Sequence, residues 1–153
     1  MLRSIKSFMI MSMVATVALL GMSSSAMASS TAAHDTSPVK VVYHVSDSAN
    51  AVDALRNASN HLEADPTAKI TFVTHSKGID FLIDGARDKD GNPYNISVEK
   101  LMDKGVTFDV CNVTLTRRKI DPKTLMQGTK IVPSGVAEVS RLQAKEGYVY
   151  LRP

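Results

Sequence analysis

Between Val39 and Leu151 the chain repeatedly changes its hydrophobic period. Short β-branched and aromatic runs alternate with stretches whose apolar residues recur every three or four positions. The runs are Val39–Val45, Lys69–Thr74, Val106–Cys111, Thr129–Pro133 and Tyr148–Leu151. Val52, Leu55, Ala58 and Leu62 follow the first run at helical spacing, capped by Ser46 or Asp47 and stopped at Asp65-Pro66. His75–Gly78 reads as a turn, Ile79–Ile83 as a short helix ended by Gly85, and Arg87–Asn95 as a loop around Asp90-Gly91-Asn92-Pro93. A helix over Ser97–Met102 ends at Gly105, and Thr114–Lys119 and Pro122–Met126 look helical, broken at Asp121-Pro122. Ser134-Gly135 opens a helix with Val136, Val139, Leu142 and Gln143 on one face, stopped by Gly147. Alternation of this kind predicts an α/β fold, a three-layer sandwich whose mostly parallel five-stranded sheet is covered on both faces.

The N-terminus has a different character. Arg3 and Lys6 precede an apolar run of about 13 residues, Phe8–Leu20, and Ala26-Met27-Ala28 supplies a small-x-small cleavage pattern. Residues 1–28 are therefore expected to be a secretory signal peptide. The run is shorter than the ~20 residues a membrane span needs. Residues 29–38 read as a disordered lead-in and 39–153 as one domain, exported most simply to a bacterial periplasm, with no membrane association after cleavage. The formal charge of +3 shrinks accordingly. Arg3 and Lys6 belong to the leader, which leaves 16 basic against 15 acidic residues. A nucleic-acid footprint of clustered cations is absent from that balance. With 44% hydrophobic and 22% charged residues over its full length, the chain has a foldable globular composition.

Ligands of open parallel sheets bind beyond the carboxyl ends of the strands, and four notable positions fall there. His44 is late in the first strand, His75 follows the second, Cys111 closes the third, and Ser134-Gly135 follows the fourth. A thiol works as its thiolate, which a helix N-terminus or nearby Lys and Arg favour. Cys111 is the one cysteine, so no intramolecular disulfide exists, and it reads equally as a nucleophile or as a small buried hydrophobe. His44, His75 and Cys111 have ligand chemistry suited to zinc or copper, but no close-spaced pair such as H-x-x-x-H supports a metal site. Val132-Pro133-Ser134-Gly135 offers helix N–H groups to an anion; a turn with an N-cap is the simpler reading.

The glycines form neither G-x-G-x-x-G nor a P-loop, and no serine-hydrolase signature occurs. No cofactor is expected. Arg117-Arg118-Lys119 reads as a solvated charge run, with docking of an acidic partner as the minority alternative. The sequons at Asn57, Asn95 and Asn112 read as chance matches.

Gly105-Val106-Thr107-Phe108-Asp109-Val110-Cys111-Asn112-Val113-Thr114-Leu115, Ile131–Glu138, Arg141-Leu142-Gln143 and Gly147–Pro153 together resemble the DsrE/DsrF-like family of small sulfur-relay proteins. The resemblance spans roughly Val39–Pro153. It implies a parallel-sheet α/β fold and homo-oligomers, trimers or hexamers. It also implies a cysteine after the third strand that carries a persulfide between donor and acceptor proteins, the position that Cys111 occupies. The characterised relays are cytoplasmic, whereas this chain is expected to be exported, which would set it apart from their usual partners. The leading expectation is an exported protein that binds or relays sulfane sulfur on Cys111, at most a sulfurtransferase-like carrier. The alternatives are a non-catalytic, homo-oligomeric small-ligand or metal-binding module near His44, His75 and Cys111, and an assembly protein with Cys111 in its core.

Overall fold

The computed structural model describes residues 37–153, so the expected signal peptide and most of the lead-in lie outside the described residues. The chain runs β1 (Lys40–Val45), α1 (Ala51–Ala64), β2 (Lys69–Thr74), α2 (Asn95–Asp103), β3 (Thr107–Cys111), α3 (Asn112–Arg118), β4 (Lys130–Val132), α4 (Gly135–Glu146) and β5 (Val149–Leu151). All neighbouring strands are parallel, in the order β4-β3-β2-β1-β5. The α/β architecture expected from the alternating periods is the one observed.

Register and pleat sort the side chains between two layers. Tyr43, Phe72 and Phe108 occupy matching positions on β1, β2 and β3. Their rings stack at centroid distances of 5.2 and 4.7 Å, and each such pair adds about 0.5–1.5 kcal/mol beyond its area burial. This ladder anchors the larger core, which α1 joins through Ala51, Ala54, Leu55, Ala58 and Leu62, and α2 through Val98 and Leu101. The other face presents Val42 and Val73 to Val139 and Leu142 of α4, a much smaller apolar cluster. Polar groups occupy much of the rest of that face.

Several expected helices shift. Val52 is 40% exposed, because the helix enters through a 3-10 turn at Ser48–Asn50, capped by Asp47, and begins at Ala51. The buried stripe then runs through Ala51, Ala54 and Leu55, and Val52 lies one position off it. Val136 likewise points outward at 58% exposure, while Gly135, Glu138, Val139 and Leu142 form the inner face of α4. The segment expected to be a short helix over Ile79–Ile83 is a 3-10 helix, Ser76–Leu82. Its close approach to the sheet explains Gly78: a Cβ there would lie 2.1 Å from the Val45 carbonyl oxygen. Pro122–Thr124 forms only one 3-10 turn. Most consequential for the site, α3 starts at Asn112, not Thr114, so strand passes into helix with no loop between them.

Candidate functional site

Thr107, Asp109 and Cys111 share one face of β3 by strand alternation. Cys111 is the N-cap of α3 and is 4% exposed. The start of α4 arrives beside it. A Cβ on Gly135 would stand 3.2 Å from the Cβ atoms of both Cys111 and His75, tighter than ordinary contact, so a larger residue there would push its neighbours by a few tenths of an ångström. Burial is the largest single influence on the thiol and would raise its pKa. The N–H of Gly135, the hydroxyl and N–H of Thr114 and the N–H of Val113 act the other way and outweigh it, so the thiol sits below its ordinary value. The sulfur makes no cap hydrogen bond in the strict geometric sense; the donors act through the positive field they direct at it.

The histidines form a second unit. His44 and His75 face each other with their Nε2 atoms 2.6 Å apart. His44 Nδ1 lies 2.7 Å from the Tyr150 hydroxyl, and His75 Nδ1 lies 2.9 Å from Ser76 Oγ. Burial depresses the pKa of both imidazoles; the neighbouring His75 and then Arg152 depress His44 further. With both rings neutral, one Nε2 donates and the other accepts. Each of the three bonds in the chain Tyr150–His44–His75–Ser76 is then made in either direction, because reversing one reverses them all. Two imidazoles bound to one tetrahedral zinc at ~2.0–2.1 Å each stand more than ~3 Å apart, so this pair is spaced for a hydrogen bond. Among the described residues no three His, Cys, Asp or Glu side chains converge for a metal ion.

Ser76 joins the two units. Its backbone is left-handed, φ 55°, its N–H donates to Thr114 Oγ1 at 3.0 Å, and its carbonyl accepts from Arg118 at 2.8 Å. Arg118 also reaches the Asp80 carboxylate at 2.6 Å, which removes it from the solvated run expected at Arg117–Lys119. Ser134 takes the N-cap position of α4 without a side-chain cap bond, and the Gly135 N–H that follows it is directed at sulfur. The structure thus gathers Cys111, Gly135 and His75 at one place, with His44 one hydrogen bond further out. Thr114, Ser76 and Tyr150 were not visible as site residues in the sequence. Only the C-x-x-T spacing, a sulfur analogue of a capping box, could have pointed to Thr114.

A second polar feature lies further back along the same face of β3. Asp109 is 3% exposed, and its Oδ1 has no hydrogen-bond partner. It borders a cavity of about 240 Å³ with Lys130, Glu138 and Arg141, and burial pushes its carboxyl up to about 6.

The chain matches the model of the DsrE/DsrF-like family over residues 11–153, and it belongs to that family. It is similar to MTH1491, a protein of unknown function from Methanobacterium thermoautotrophicum. That likeness has 28% identity and a TM-score of 0.67, over 75% of this chain and 99% of that one. It also resembles the ychN protein of E. coli in fold, at 17% identity and a TM-score of 0.61, over 76% of this chain and 98% of the other. No curated protein matches.

Proposed function

We propose that the protein binds or relays sulfane sulfur as a persulfide on Cys111, working outside the cytoplasm as a homo-oligomer of the trimer or hexamer type. Membership of a family generally engaged in sulfur relay supports the chemistry. The observation that carries the proposal is the placement of Cys111 at the N-cap of α3 with the glycine start of α4 packed against it, where the N–H groups of Gly135, Val113 and Thr114 lower the thiol's pKa. Such a cradle favours an anionic sulfur, whether thiolate or persulfide. In the loading step the Cys111 thiolate attacks the outer sulfur of a donor persulfide, R–S–SH. A new S–S bond forms, the donor's S–S bond breaks, and its electron pair leaves on R–S⁻; no oxidant is required.

The test is intact-mass measurement of the mature protein after brief exposure to polysulfide, beside Cys111→Ser. An adduct of about 32 Da, the mass of one sulfur atom, that is absent from the variant and discharged by a thiol, is the expected result. A Cys111 that reacts only after denaturation would leave it as a core residue and end this reading.

The second reading, a small-ligand or metal-binding module, would rest on His44 and His75, whose 2.6 Å spacing suits a hydrogen bond to each other better than a shared metal ion. Metal analysis of protein purified without an affinity tag separates the two. Stoichiometric metal lost on His44→Ala would favour the module.

A further inference from the structure

Five charged side chains border the cavity of about 240 Å³ that opens beside Asp109. Three of them satisfy one another. Arg141 Nε donates to Glu138 at 2.9 Å, one terminal nitrogen donates to the same carboxylate at 2.5 Å, and the other holds Glu146. Asp109 and Lys130 are left over. They are cross-strand neighbours on β3 and β4 and both border the cavity, yet neither forms an ion pair among the described residues. Thr107, on the same face of β3, directs its hydroxyl to Thr71 at 2.8 Å and not to the carboxylate. Asp109 is 3% exposed, and its Oδ1 is left without a hydrogen-bond donor. A buried carboxylate in that condition is costly, and the open space beside it is where a donor would fit.

We propose that this cavity binds a small α-amino acid, its ammonium group donating to Asp109 and its carboxylate accepting from Lys130. The inference does not rest on the persulfide reading of Cys111. A plain amine would satisfy Asp109 but stand against the positive charges of Lys130 and Arg141. A plain carboxylate would satisfy Lys130 but stand against Asp109 and Glu138. A ligand carrying both charges a short distance apart answers the two unmet groups together. The cavity is below the roughly 300 Å³ at which drug-sized ligands fit, which limits the ligand to a few heavy atoms. Leu142 and Tyr148 complete the wall and offer contact to a short aliphatic side chain.

Isothermal titration calorimetry with L-alanine, methylamine and acetate tests this. L-Alanine should bind best. Asp109→Asn should weaken both L-alanine and methylamine on the order of tenfold. Lys130→Gln should weaken L-alanine but strengthen methylamine, because it removes a repelling charge. The groups facing Asp109 are Lys130 of β4, Glu138, Arg141 and Glu146 of α4, and Tyr148. Arg141 holds the Glu138 carboxyl below its ordinary value, whereas the Asp109 carboxyl is raised to about 6. Protonating Asp109 removes the charge that the ammonium meets, so lowering the pH from 7.5 to 5 should weaken L-alanine about tenfold, and Asp109→Asn should abolish that dependence. Equal affinity for L-alanine and methylamine, or L-alanine binding unchanged by Asp109→Asn, would overturn the proposal. So would the absence of L-alanine binding, the result expected if Lys130 itself bends over to pair with Asp109. Cys111→Ser should bind L-alanine as the natural chain does; loss of binding there would place the ligand at the thiol and refute a separate site.

Discussion

Replacing Asp109 by Asn should make the protein more stable at neutral pH and leave it little changed in acid. The carboxyl is buried, lacks a partner for Oδ1, and has its pKa raised from 3.8 to about 6. Burial is the main cause. Lys130 and Arg141 pull the value back, and Glu138 adds to the rise. At 1.36 kcal/mol per pH unit, ionising this group in the folded state costs about 3 kcal/mol once the pH is well above 6. The polar cavity beside it can admit water, and the new amide needs partners of its own, so the gain from Asp109→Asn should be about 1–2 kcal/mol at pH 8. The sign follows from the raised value. The unfolded chain releases its proton near 3.8 and the folded chain near 6, so Asp109 weakens the fold progressively across that window and by a constant amount above it. Urea unfolding of both proteins from pH 4 to 8 isolates the effect, because titrations shared by the two cancel in the difference. A difference that is flat across the range, or a variant less stable at pH 8, would refute the reasoning.

The cradle predicts that Cys111 is alkylated with a pH inflection below that of an ordinary thiol, and that Thr114→Val moves the inflection upward by removing a hydroxyl donor; iodoacetamide rates against pH measure both. Gly135→Ala inserts a methyl against Cys111 and His75 and should cost about 1–3 kcal/mol in urea unfolding, while raising the thiol inflection as the Gly135 N–H moves away. Both imidazoles have depressed pKa values. Their contribution to stability is therefore complete above about 6.5 and lost as the pH falls through their lower folded values. His44→Gln should flatten the acid limb of the stability curve, and an unchanged limb would show that the pair does not titrate as described. Phe72→Ala removes the middle ring of the three-ring ladder and should cost about 3–5 kcal/mol by the same assay.

The fold was largely legible because its signals are local. Strand runs such as Lys69–Thr74 carry their own β-branched pattern, and Gly147 stops its helix in the left-handed conformation that glycine favours. Helix faces were less legible. A shift of one residue in the start of α1 decides between Val52 and Ala51, and a 3-10 entry turn leaves no periodic trace. The site needed pairings between strands. His44 and His75 are 31 residues apart and meet because β1 and β2 pair in the observed register, with His75 one step past the end of β2. Tyr150 reaches His44 because β5 pairs with β1 at Val42. Neither register is written in the spacing of those residues. The local pattern places the helix start at Thr114, two residues late, which concealed the direct passage of β3 into α3.

A serine in the left-handed region carries backbone strain of about 1–3 kcal/mol and stays there only where its surroundings hold it. At Ser76 three bonds do so, to Thr114, to Arg118 and to the ring of His75. Each belongs to a different part of the site, so releasing any one lets the peptide relax away from the other two. The imidazole pair, Arg118 and the Thr114 hydroxyl beside the sulfur thus meet at a single residue, and a change at any of them would shift the Ser76 peptide next to the thiol.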